Sequence, residues 1–246
     1  MTVEWYRIAF GEVYPLVYAH RDDAEAGRAA GSFAGLFRGR TPVLDVACGA
    51  GRHTAAFSAA GVEMLGLDLS EFLLVEAVEQ RGLAGRVVLG DMRHLPFRDG
   101  ALGGAINMFT SFGYFDDEAD DARAVAEIAR VLRPGGRFLM DFINAETVGR
   151  VSGETTRRRE GGVEIEEHRE RDATGRRLCK NVRVLRPDGE IVSYREQVRL
   201  YTPTELEALV SVAGLRVVER FGDYGAGPYA AASDRLILLA EKGGRP

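Results

Sequence analysis

The chain predicts an α/β fold: a mostly parallel sheet with helices on its faces, and a separate antiparallel meander late in the sequence. Two patterns carry that expectation. From about Val43 to Asn144, short β-rich runs alternate with segments of helical periodicity, as strands joined by crossover helices do. From about Thr155 to Tyr201 the alternation becomes strand-like. Val192, Tyr194, Val198 and Leu200 share one face there, and Gly161-Gly162, Ala173-Thr-Gly175 and Pro187-Asp-Gly189 mark turns.

The segment Trp5 to Arg28 is aromatic-rich and reads as helical, with Phe10, Tyr14, Val17 and Tyr18 at spacings near three and four. A first strand, residues 42–47, runs through Asp45 into Gly49 and Gly51. These glycines permit a tight strand-to-helix turn and leave no Cβ between a ligand and the backbone. The following helix, about Arg52 to Ala60 with Gly61 as its left-handed cap, aims N–H donors and a positive dipole end at bound negative charge.

Two further strands, residues 62–68 and 86–90, end at Asp68 and Asp91. Asp68 lies about twenty residues past the glycines, where an acid at a strand end accepts hydrogen bonds from ribose hydroxyls. Ser70 is the better N-cap for the next helix, which leaves Asp68 to the crevice. Asp91 suits an exocyclic amine such as that of adenine, and Met92 a ring face. Three successive strand ends thus offer groups to one ligand, a small adenosine-containing cofactor. A dinucleotide fingerprint fits less well, because Thr54 occupies its third glycine position.

Strands at residues 102–109 and 136–143 follow, separated by a helix in which Val125, Ile128, Ala129 and Leu132 recur at helical spacing before Pro134-Gly135-Gly136. Asp116, Asp117 and Glu118 sit at its start, where the dipole favours negative charge. Thr202-Pro-Thr-Glu205 is a capping box that opens a helix to about Ala213, stopped by Gly214. Strands from Arg216 to Phe221 and Arg235 to Ala240 close the chain, and the connection between them carries Tyr224 and Tyr229 in structural roles.

A chain of 246 residues, 46% apolar and 28% charged, suits one large domain or a domain with an inserted subdomain. The net charge of −5 offers no general attraction to nucleic acid or an anionic membrane, so neither is an expected partner. Arg157 to Arg159 form a basic run, but Glu164, Glu166, Glu167 and Glu170 follow closely and make it a solvated strand face. Cys48 and Cys179 support neither a disulfide framework nor a metal site, and His20, His53, His94 and His168 are scattered. With no basic leader and no apolar stretch of about twenty residues, the expected location is cytoplasmic.

Asp45-Val-Ala-Cys-Gly-Ala-Gly51, the acids Asp68 and Asp91, Asn107-Met-Phe-Thr-Ser-Phe-Gly-Tyr114 and Leu132-Arg-Pro-Gly-Gly-Arg-Phe-Leu-Met140 together resemble the class I S-adenosylmethionine-dependent methyltransferases. The likeness covers most of the chain. Gly11-Glu-Val-Tyr-Pro-Leu-Val-Tyr18 and Gly90-Asp-Met-Arg93 draw it toward small-molecule members, including sugar-amine N,N-dimethyltransferases.

The resemblance implies a Rossmann-like seven-stranded, mostly parallel sheet with a terminal antiparallel hairpin. It divides the chain into an N-terminal helical lid (1–40), a cofactor-binding domain (41–150 and 202–246) and an inserted β subdomain (151–201). By the same resemblance Gly49 and Gly51 approach the methionine part of the cofactor, Asp68 binds ribose, Asp91 binds adenine, and Leu69 and Met92 line the adenosine pocket. Asp45, Ala47 and Asn107 join the binding set from within the motifs. Tyr14 and Tyr18 touch the cofactor from the lid, and Arg21 pairs with its carboxylate. The family often has an acid early in the fourth strand, where this chain has Gly103 and Gly104.

The implied reaction is in-line methyl transfer from S-adenosylmethionine to N or O of a small molecule, with S-adenosylhomocysteine as product. Tyr114 and Asn144, near strand ends, are the expected catalytic hydrogen-bonding groups, and Phe109 and Phe112 are packing groups. The meander either encloses the acceptor or forms a homodimer surface. The alternatives are a non-catalytic cofactor-binding partner subunit and an NAD(P)-dependent oxidoreductase.

Overall fold

A computed structural model describes residues 5–19, 22–150 and 152–244. Strands β1 (Val43–Val46), β2 (Met64–Asp68), β3 (Val87–Leu89), β4 (Leu102–Asn107), β5 (Leu132–Ile143), β10 (Leu215–Phe221) and β11 (Arg235–Lys242) form a seven-stranded sheet. Its order is β10-β11-β5-β4-β1-β2-β3. Only β11 runs antiparallel to its neighbours. From β1 the chain steps outward to β2 and β3, then returns to β1's other side with β4. The crevice outside the carboxyl ends of β1 and β4 is therefore the topological switch point, where ligands bind in open sheets of this kind.

Both faces of the sheet are buried at its inner strands β1, β4 and β11, which read as largely apolar runs. Leu236 and Leu238 of β11 face one core with Val125 and Ile128 of α6 (Glu118–Val131) and Leu206 of α7 (Pro203–Val212). Ile237 and Leu239 face the other, with Phe33 of α3 (Asp23–Phe33), Phe37 of a short 3-10 turn, and Phe57 of α4 (Arg52–Ala59). Helix α5 (Glu71–Arg81) follows β2, capped by the Ser70 side chain. The Asp117 side chain caps α6, and the expected capping box opens α7.

The N-terminal region is not one continuous helix. It breaks into α1 (Trp5–Ala9), α2 (Tyr14–Val17) and α3, with Gly11 in the first turn, Pro15 in the first turn of α2, and Asp22 capping α3 through the Glu25 N–H at 2.9 Å. Residues 23–37 belong to the helical layer on the sheet, so only the first two helices are placed as a cover.

Gly103 and Gly104 lie within β4, whose pairing with β5 shifts register between Leu102 and Gly104. A Cβ on Gly103 would overlap the Arg40 backbone, and one on Gly104 would lie 2.6 Å from the Phe37 ring. They let the segment before β1 cross tightly over β4. The strand stops at Asn107, two residues sooner than the sequence suggests, because Phe109 and Thr110 turn into left-handed conformations with φ of 57° and 61°. Strand β5 begins earlier than expected, since Leu132 is already extended and pairs with Leu102.

Strands β6 (Thr155–Glu160), β7 (Val163–Arg171), β8 (Arg177–Leu185) and β9 (Ile191–Arg199) form the separate antiparallel meander. Its apolar face, with Ile165, Val182, Val184 and Tyr194, packs against Ala9, Val13 and Val17 of the N-terminal segment. Arg157 and Arg159 pair with Glu166 and Glu164 on the exposed side, while Arg158 reaches inward to Glu167 and the Val17 carbonyl. Among the described residues, Ile191 is the one large apolar side chain these strands leave exposed.

Gly103→Ala should cost roughly 1–3 kcal/mol or more of stability, as overpacking against backbone does. Gly35→Ala, where a Cβ meets nothing within 4 Å, should be neutral or slightly stabilising. Thermal denaturation of the two variants checks the contrast, and equal melting temperatures would contradict it.

Candidate active site

The site is built from buried carboxylates that close strands. Asp68 at the end of β2 accepts the Gly49 N–H on Oδ2 and the Ser70 N–H on Oδ1, each at 2.8 Å. Burial pushes its carboxyl up, and these two N–H groups oppose that shift. The turn they hold is left-handed at Ala47, Gly49 and Gly51, with φ of 59°, 55° and 74°. Asp45 on β1 accepts the Thr54 hydroxyl at 2.7 Å. Burial lifts its carboxyl to about 7.

Two cavities meet at Ala47. The first, about 280 Å³, is lined by the carboxylates Asp68 and Asp91, by the apolar Leu69, Met92 and Phe115, and by Tyr6, Phe10 and Tyr114. The second, about 200 Å³, is more polar, bordered by Asp45, Gly49, Arg52, Tyr14, Phe109 and Ser111. One half thus offers flat apolar walls over carboxylates, the other polar groups beside a glycine turn. That pairing fits a nucleoside with a charged tail crossing Ala47. Asp68 spends one lone pair of each oxygen on the Gly49 and Ser70 N–H groups.

A methyltransferase domain model matches residues 43–136. The dTDP-3-amino-3,4,6-trideoxy-alpha-D-glucopyranose N,N-dimethyltransferase of Streptomyces venezuelae is 34% identical over 223 residues, 86% of this chain and 92% of that one. The chain belongs to the class I S-adenosylmethionine-dependent methyltransferase family. Its cofactor is S-adenosylmethionine and the product S-adenosylhomocysteine, which sets the oxidoreductase alternative aside. The fold is shared with the CcbJ methyltransferase from Streptomyces caelestis, at a TM-score of 0.80 and 23% identity over 97% of this chain and 99% of that one. It is shared too with S-adenosylmethionine-bound CalS10, an amino pentose methyltransferase from Micromonospora echinaspora, at 0.67 and 23% over 94% and 97%.

Within this methyltransferase the predicted residues separate. Asp68, Leu69, Asp91, Met92 and Tyr114 line the first cavity, Asp45, Gly49, Tyr14 and Tyr18 the second, and Ala47 both. Asp91 is less free than its position suggests. Arg93 forks onto it, with Nε at 3.0 Å and Nη2 at 2.6 Å from Oδ2 and the backbone N–H at 2.8 Å from Oδ1. Burial works against its charge, but the Arg93 hydrogen bonds outweigh it and hold the carboxyl below its usual value. Tyr18 shows the second cavity only its ring, for its hydroxyl donates to Glu196 and accepts from Lys180 of the meander.

Gly51, Asn107 and Asn144 line neither cavity. A Cβ on Gly51 would overlap Leu83, so this glycine serves the packing of the turn on the end of α5. Asn107 donates to the carbonyls of Val46 at 2.9 Å and Ser111 at 3.0 Å, tying β4 to β1 and to its own following turn. Asn144 is completely buried, and its amide donates to the carbonyls of Ala231 at 3.0 Å and Ser233 at 2.7 Å. A catalytic contact there would need these bonds broken. Arg21 lies outside the described residues.

The sequence reading missed the supports of the Gly113–Asp116 segment, which carries Tyr114 and Phe115. Arg199 donates its backbone N–H to Gly113 at 2.8 Å and its Nε to the buried Asp121 at 3.1 Å, and Arg177 reaches the carbonyls of Phe115 and Asp116. It also missed Asp141 and its partner Arg235, although an acid inside the apolar run Phe138-Leu-Met-Asp-Phe142 is itself a signal. Among the described residues no group of three or more His, Cys, Asp or Glu is placed to hold a metal, and no helix is long and apolar enough to cross a membrane.

Burial raises Asp45 from an ordinary 3.8 to about 7, so the folded state binds this proton more tightly than the unfolded chain. Its contribution is fully present below the unfolded value and is lost as pH rises through the folded one, at about 1.4 kcal/mol per unit of separation. Chemical denaturation should therefore show the wild type losing stability relative to Asp45→Asn between about pH 4 and pH 7. A difference that does not change over that window would contradict the buried, proton-holding state.

Proposed function

We propose that this methyltransferase acts on the amine of a small amino sugar carried on a nucleotide, methylating it to the dimethylamine. The observation that carries this reading is the extent of the likeness to the Streptomyces venezuelae N,N-dimethyltransferase. It runs over 86% of the chain, and so extends well past the common methyltransferase core at residues 43–136.

When bound, S-adenosylmethionine supplies an electrophilic sulfonium methyl that passes in line to an acceptor lone pair. In this reading Asp68 takes the ribose hydroxyls, Leu69 and Met92 hold the adenine faces, and the Arg93 fork keeps the Asp91 carboxylate still at the rim. The turn at Ala47 and Gly49 would carry the methionine chain into the second cavity, and Arg21, which lies outside the described residues, is the proposed partner of its carboxylate. Tyr14, Phe109 and Ser111 face the acceptor, with Tyr114 at the junction as a hydrogen-bonding group. A neutral amine already exposes its lone pair, so these residues align and desolvate it rather than remove a proton first.

The cover excludes water through an aromatic cluster. Trp5 and Phe10 pack on Tyr114 with ring centroids 5.1 and 5.7 Å apart, and the Ser70 hydroxyl donates to the Phe10 carbonyl at 2.6 Å. The meander backs this cover, and a homodimer through the meander would have to use its charged outer face. The proposed compartment is the cytoplasm, and the net charge of −5 argues against nucleic acid as the acceptor.

Methyl-labelled S-adenosylmethionine incubated with dTDP-linked 3-amino sugars should yield mono- and then dimethylated products, with none from the matching 3-hydroxy sugars. Transfer to the hydroxyl, or only to a peptide N-terminus, would overturn the acceptor assignment. Asp68→Asn should weaken S-adenosylhomocysteine binding about tenfold or more in calorimetry, as loss of charged hydrogen bonds does. Unchanged affinity in the folded variant would remove Asp68 from the cofactor site.

A further inference from the structure

The turn after β4 holds two consecutive non-glycine residues, Phe109 and Thr110, at φ of 57° and 61°. A β-branched residue in this region is a true outlier, and such conformations persist only where surrounding structure over-determines them. Here Asp141 of β5 supplies that structure. It is completely buried, and its Oδ2 accepts the Phe109 N–H at 2.7 Å while its backbone carbonyl accepts the Thr110 N–H at 2.9 Å. Its Oδ1 accepts Arg235 Nε at 2.6 Å, and the Tyr224 hydroxyl donates to Oδ2.

Arg235 completes the brace. Its Nη2 donates to Thr110 Oγ1 at 3.0 Å and its Cζ lies 5.1 Å from the centre of the Phe109 ring, against which Arg52 also sits at 5.5 Å. Phe109 and Arg52 both border the second cavity, whereas Asp141, Arg235 and Tyr224 do not. The brace acts on the cavity only through the turn it holds.

We propose that Asp141 is a positioning residue for methyl transfer: with Arg235 it holds Phe109 and Thr110 left-handed, so that the Phe109 ring forms the fixed wall against which the acceptor amine is aligned. This rests on the reading that the acceptor enters the second cavity. The mechanism is geometric, and a misplacement of about 1 Å in such a wall costs on the order of 100-fold in rate.

In Asp141→Asn the kcat for the amino-sugar acceptor should fall by about 100-fold, while the Kd for S-adenosylhomocysteine changes by less than about threefold, since the cofactor's main contacts lie elsewhere. Adding Thr110→Gly should restore kcat to within about tenfold of wild type, because glycine adopts this backbone without steric cost. Unchanged kcat in the folded variant, equal losses of kcat and cofactor affinity, or no rescue by glycine would each overturn the proposal. Should Asp141→Asn not fold, Arg235→Lys answers the same question: it keeps the charge, loses the bond to Thr110, and should show the same split between kcat and Kd. The Cα and Cβ chemical shifts of Thr110 report its left-handed backbone without any acceptor, and shifts unmoved in these variants would also overturn the proposal. A wild type that leaves every amino sugar untouched would defeat the acceptor reading alone, and the shifts would still decide the brace.

Discussion

The geometry of the site depends on one carboxylate. Asp68 binds the Gly49 N–H on one side and the Ser70 N–H on the other, so the glycine turn after β1 and the cap of α5 are held by a single buried side chain. The chain of bonds continues outward. Ser70 caps Leu73 and donates its hydroxyl to Phe10 in the cover. Any group that binds Asp68 therefore sits at the hub linking the glycine turn to the cover, and pairwise removal of its bonds would not measure their joint effect.

The other acids at strand ends obey the same rule with different partners. Asp45 takes a hydroxyl from Thr54, Asp91 takes the Arg93 fork, and Asp141 takes a backbone N–H and Arg235. What each offers a ligand is what its partners leave over. Asp68 accepts backbone N–H groups, those of Gly49 and Ser70 on its two oxygens, and lines the first cavity. Asp91 gives most of its capacity to Arg93, which in turn stacks on Phe115 with its Cζ 4.5 Å from the ring centre. That acid steadies a wall of the first cavity as well as lining it.

This explains which parts were legible in the chain. Strand runs, the glycine turn, Ser70 as a cap and the Thr202 capping box are local, set by neighbours within a few positions, and apart from the end of β4 and the start of β5 the structure has them where the sequence suggests. Roles set by distant partners were not legible. The Asn144 amide is claimed by carbonyls 87 and 89 residues away, and the Tyr18 hydroxyl by Glu196, 178 residues away. Gly51 makes room for Leu83, and Gly103 and Gly104 for the Arg40 backbone and the Phe37 ring. A residue type announces a capability, but which partner uses it is decided by the fold.

Tyr18 also shows how the meander takes part. Lys180 lies 2.9 Å from Glu196 and 3.3 Å from Glu167, both buried, with the Tyr18 ring 4.0 Å from its ammonium. Buried ion clusters of this kind add little net stability, since desolvation offsets the attraction, but they penalise any arrangement that leaves a charge unpaired. The cost of shifting α2 along the meander is therefore high. The second cavity is thus bounded from three directions by segments held by buried carboxylates: the glycine turn by Asp68, the Phe109 turn by Asp141, and the Tyr14–Tyr18 segment by Glu196. Methyl transfer expels a neutral thioether, so little charge accumulates on the leaving group for the protein to stabilise. Alignment is then the main lever left to the protein, and a cavity with three immobilised walls is built to supply it.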